Sequence, residues 1–174
     1  MIQVVIGDLG SCTGEGIVCP IRSDLAPMTV WARDALGRAG SGVLSRLEGM
    51  GQLPVGGAFL TPAGELPAAF LIHVVIAAED EPQTALSVQR ALRNGLRRAA
   101  EWELTSLSIP PMGIGVGHLE PEEDARAEVE ILLNHLDEGQ PPLDLTLVVA
   151  NEYERAMFAG IVEALVRERF PMRN

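Results

Sequence analysis

Residues 106–121, SLSIPPMGIGVGHLEP, set the architecture of the whole chain. The stretch starts as a short apolar strand and passes into a loop with glycines at 113, 115 and 117. It ends in Pro121-Glu122-Glu123, which opens a helix, because proline in the first turn forfeits no intrahelical bond. Strand, glycine loop and helix in that order build an anion cradle. The glycines permit φ > 0 and close approach, while free N–H groups and the positive end of the helix face a negative ligand. A phosphate or diphosphate is the occupant this chemistry predicts; a plain glycine turn between strand and helix is the alternative. The spacing is neither Gly-x-Gly-x-x-Gly nor a Walker A loop, and no Lys follows it, which argues against ordinary dinucleotide and NTP sites.

On either side the sequence alternates strands and helices. The apolar run 2–6 reads as a buried strand stopping at Gly7-Asp8, and residues 16–19 as a short strand closed by Pro20. Helical spacing follows from Thr29 to a stop at Gly40, and again over 42–49. Strands are predicted at 56–62, 69–77, 105–109 and 143–150, with helices at 83–103, 122–136 and 152–170. This alternation predicts a single domain over 1–174: a three-layer α/β/α sandwich with a mixed, mostly parallel central sheet. Ligands of such sheets sit over the carboxyl ends of the strands. Gly7-Asp8, residues 19–23 and residues 113–117 all follow strands and can share one cleft.

Composition narrows the classes. The 174 residues are 47% apolar, enough for a substantial core. The formal charge is −11, mostly from the last third of the chain, and such a surface repels nucleic-acid duplexes. Every basic residue is Arg, so Schiff-base lysine chemistry is excluded. No apolar run is long enough to span a membrane and the start lacks a signal pattern, so a cytoplasmic protein without membrane contact is the expectation. Cys12 and Cys19 have no metal-ligand spacing, the acidic runs 79–81 and 120–124 read as solvated, and neither a metal nor a cofactor is expected.

The ordered pieces resemble a macro domain, the ADP-ribose-binding module. They are Gly7-Asp8-Leu9, Glu15-Gly16-Ile17-Val18, Arg38-Ala39-Gly40, Leu53-Pro54-Val55-Gly56-Gly57-Ala58, Thr61-Pro62-Ala63-Gly64, Leu71-Ile72-His73-Val74-Val75 and the run from Ser108 to Gly117. The resemblance implies that Asp8 accepts from the adenine amino group beside the Leu9 amide. It implies also that Gly113, Ile114, Gly115, Val116 and Gly117 offer amides to the diphosphate and its ribose. ADP-ribose or a related nucleotide is then the partner, with an ADP-ribosylated protein as a further one. The alternative for Asp8 is a turn or helix cap.

The distal end of the cleft departs from the family. Its Asn-Ala-Ala-Asn run aligns with Cys19-Pro20-Ile21-Arg22, and its glycine string falls on Pro27-Met28-Thr29-Val30. No aromatic ring directly follows the last strand to stack on adenine, Tyr153 being only nearby. Three readings follow: a nucleotide-binding module, a hydrolase of ADP-ribosyl or O-acyl-ADP-ribose substrates, or an interaction domain with a covered cleft. The hydrolase would need Arg22, Asp24, Asp34 or His118 as catalytic stand-ins. Arg22 is read equally as a phosphate ligand or as the partner of Asp24 or Asp34. His73 is read as a framework residue and His135 as a surface residue.

Overall fold

The computed structural model describes residues 1–113 and 119–171. Among them, six strands form one sheet: β1 (Ile2–Ile6), β2 (Gly16–Arg22), β3 (Ala58–Pro62), β4 (Phe70–Ala77), β5 (Ser106–Ile109) and β6 (Asp144–Val149). Their order is β1-β6-β5-β2-β4-β3, parallel throughout except for β3 against β4. Five helices cover it: α1 (Val30–Ala39), α2 (Ser41–Glu48), α3 (Ala85–Glu101), α4 (Pro121–Glu138) and α5 (Glu152–Arg169). A 3-10 turn (Leu9–Ser11) follows β1.

Strand alternation divides the core in two. Val18, Ile72, Val74, Leu107, Leu145 and Leu147 face α3, α4 and α5. Ile17, Cys19, Ile21, Leu71, Val75 and Val148 face α1 and α2. Side-chain caps start the helices where the sequence offers them: Thr29, Thr84 and Asn151 each accept an amide from the first turn. Gly139, at φ 68°, stops α4 in the left-handed region.

Two strands differ from expectation. β1 is an edge strand with Gln3, Val5 and Ile6 exposed, because β6 pairs with it on one side only. β2 does not close at Pro20 but continues to Arg22 along β4. The carbonyl of Pro20 points away from β4 and accepts Met28 N–H at 3.1 Å, so the missing amide would also have pointed away. β5 pairs β2 only at Gly16 and Ile17, and the proline therefore costs no ladder bond.

After β2 the chain turns tightly back. Arg22 N–H donates to Ala26 O and Leu25 N–H to Arg22 O, both at 2.8 Å, with Leu25 held at φ 70°. Leu25 tolerates this left-handed strain because its side chain is buried in the α1–α2 core.

Candidate functional site

Five parallel strands end on one side of the sheet, and a cleft of about 440 Å³ lies over the ends of β1, β6 and β5. Gly7, Pro111 and the stretch Val148, Val149, Ala150 form its base; Met28, Thr29, Val30, Trp31 and Arg33 border it from the α1 side, and Glu154 from α5. Trp31 is fixed by Nε1–H donating to Val18 O at 3.2 Å, so it stands as a wall at the start of α1. Met28, Thr29 and Val30, where the family's glycine string falls, thus border the cleft. Whether a side chain covers Gly115 lies outside the described residues.

Asp8 is exposed and caps the 3-10 turn. Its Oδ1 accepts Ser11 N–H at 3.1 Å while Ser11 Oγ accepts Asp8 N–H at 2.9 Å, which is the cap alternative read from the sequence. The Leu9 side chain is buried, and its amide meets no acceptor among the described residues.

Gly113 corrects an expectation. Its N–H points into the protein and donates to Asp124 Oδ2 at 3.0 Å, so it is not a free donor for a diphosphate. Ile114, Gly115, Val116, Gly117 and His118 lie outside the described residues. A Cβ at Gly113 would stand 1.7 Å from Gln83 Nε2, so any other residue there requires Gln83 to shift.

Arg22 takes the ion-pair alternative. Its Nε and Nη2 both donate to the Asp24 carboxylate, at 2.9 and 2.5 Å, which holds Asp24 below and Arg22 above their usual values. Asp24 Oδ1 also accepts Ala26 N–H and so closes the turn. Asp24 borders a separate hollow beside Leu36 and Leu47, and Asp34 is exposed and does not border the cleft. Tyr153 is 73% exposed and likewise outside it.

His73 is buried, stacked on Phe59 with ring centroids 4.7 Å apart, and its Nε2 pairs with Thr61 Oγ1 at 2.8 Å. Burial pulls it down to about 4, so it is neutral framework. His135 is not a surface residue: it is buried, and its Nε2–H donates to Pro142 O at 2.9 Å. Burial raises both thiols, Cys19 to about 12. Among the described residues no group of His, Cys, Asp and Glu is placed to hold a metal ion, and no helix is long and apolar enough to cross a membrane.

The sequence reading missed two features. Arg33, one turn into α1, borders the cleft, and no carboxylate among the described residues pairs with it. Asp124, read as solvated, is fully buried, as is Glu128 one turn on. A signal was present: residues 124, 125, 128, 129 and 132 form one helical face, and three of them are apolar.

A mixed, mostly parallel sheet of this order between two helical layers, with its cleft over the strand ends, defines a three-layer α/β/α sandwich. The sequence pattern of the Macro domain matches residues 34–127, and the chain belongs to that family. An uncharacterised protein of Aeropyrum pernix is 35% identical over 170 residues, covering 95% of this chain and 87% of the relative. An O-acetyl-ADP-ribose deacetylase of Klebsiella pneumoniae is 31% identical over 63% of each chain. Among solved structures, a macrodomain variant of Oceanobacillus iheyensis with ADPR has a TM-score of 0.85 at 22% identity, over 95% of this chain and 94% of its own.

Proposed function

We propose that the cleft binds ADP-ribose or a related nucleotide diphosphate. The observation that carries this reading is the hollow over the ends of β1, β6 and β5, with Met28 and Trp31 along its side. Asp8 does not itself line the hollow but directly follows Gly7 of its base and keeps Oδ2 beyond its capping bond, and a carboxylate oxygen suits an exocyclic amino donor. The structures of a related fold with ADPR and with ADP support it. Calorimetry with ADP-ribose, ADP and AMP tests it: heat is expected with ADP-ribose, and none with any of the three, at protein near the millimolar range, rejects it.

The name of the Klebsiella relatives favours a second reading, hydrolysis of an O-acyl-ADP-ribose or ADP-ribosyl bond. Arg22 and Asp24 satisfy each other and Asp34 lies away from the cleft, which leaves His118 of the original four. Turnover of O-acetyl-ADP-ribose that is lost in His118→Ala supports this reading; turnover unchanged in that variant removes the last stand-in.

A further inference from the structure

The backbone just after Pro111 of the cleft base is held from beneath by buried carboxylates. Asp124 Oδ2 accepts Gly113 N–H at 3.0 Å, and its Oδ1 accepts Gln83 Nε2–H at 3.1 Å. One turn along α4, Glu128 Oε2 accepts Met112 N–H at 3.1 Å. Asp124 and Glu128 are fully buried and Gln83 nearly so. Two consecutive amides are therefore turned toward α4, which fixes the orientation of the backbone as it leaves β5.

We propose that Asp124 is a positioning residue for the cleft: its carboxylate, through Gly113 and Gln83, fixes the backbone at Met112 and Gly113, directly after Pro111 of the cleft base. The inference rests on the nucleotide reading of the cleft. An ionised carboxylate offers only acceptors and serves both N–H donors, whereas the protonated acid keeps one good acceptor for two donors.

Burial pushes Asp124 up to about 6 against the opposing pull of the Gly113 and Gln83 donors. Burial and the Asp124 charge hold Glu128 well above the usual range, so Glu128 keeps the proton of the pair and Asp124 ionises first. No basic side chain among the described residues intervenes. Arg90 of α3 lies against Gly56, Arg126 pairs with Glu130 and Glu168, and Arg155 of α5 pairs with Glu152. The other acids nearby, Glu122 and Glu123 on α4 and Glu79, Asp80 and Glu81 before Gln83, are exposed.

The first arm of the test needs no ligand. In ¹⁵N-labelled protein, the Gly113 amide is followed from about pH 8 to about pH 5. A step near pH 6 is expected, absent in Asp124→Asn; a flat wild-type trace overturns the clamp. In the second arm, calorimetry with ADP-ribose should show the wild-type affinity falling about tenfold over the same range, and Asp124→Asn already weak at about pH 8 and insensitive to pH. A titrating amide with constant affinity overturns the positioning role. Absence of wild-type heat at every pH overturns the nucleotide reading instead, and leaves the clamp to the amide trace.

Discussion

Gly113 sits directly against the Gln83 side chain. A methyl group there would collide with the Gln83 side-chain amide, so Gly113→Ala must drive Gln83 off Asp124 and leave a buried carboxylate oxygen short of a donor. The expected loss is about 1–3 kcal/mol in urea unfolding. In a Gln83→Ala background the same substitution should cost clearly less, and an undiminished cost would mean that the collision is not the cause. His73 gives a second residue-scale expectation. Its value of about 4 in the fold lies below the ordinary 6.5. Stability from its neutral burial is therefore complete above 6.5 and lost as pH falls toward 4, at up to about 1.4 kcal/mol per pH unit. The stability gap between wild type and His73→Gln should narrow by that slope between pH 6.5 and about 4.5 in urea melts, and a gap that stays constant would mean that His73 titrates normally.

At the scale of elements, α4 carries the unexpected chemistry. Glu128 is raised above its unfolded value, so its contribution is present below about 4.5 and is lost as pH rises toward its folded value. Glu128→Gln removes that loss while keeping an oxygen for Met112 N–H. The variant should therefore gain on wild type as pH rises from about 5 to about 8, and a pH-independent difference in urea melts would show that Glu128 does not keep its proton in the fold. This helix also marks the limit of what the sequence reveals. Helical spacing and the Pro121 signal made its start legible and its end to within two residues, and the strand and helix order of the whole chain was legible in the same way. The partners of Asp124 and Glu128 were not, because what buries an acid there is Gln83 41 residues away and the folded-back amides of Met112 and Gly113. Pro20 misled for a similar reason: whether a proline ends a strand depends on which side of it is paired, and only the sheet order tells that.

For the molecule as a whole, charge and site pull against each other. The chain carries −11, and α4 and α5 lie within its most acidic third, whereas Arg33 stands at the cleft on the opposite helical layer. A diphosphate ligand approaches a field that is repulsive at long range and is met by a cation only on arrival. Salt should therefore speed association. Going from about 0.01 M to about 0.1 M shortens the screening length from about 30 Å to about 10 Å, which removes most of the distant repulsion but leaves the close contact with Arg33. Stopped-flow mixing with ADP-ribose should show the association rate rising about two- to fivefold over that range, with Arg33→Gln slower than wild type at both ends. A rate that falls with salt would mean that the local positive field of Arg33 and the start of α1 already governs the approach, and that the acidic layer behind the sheet does not reach the cleft.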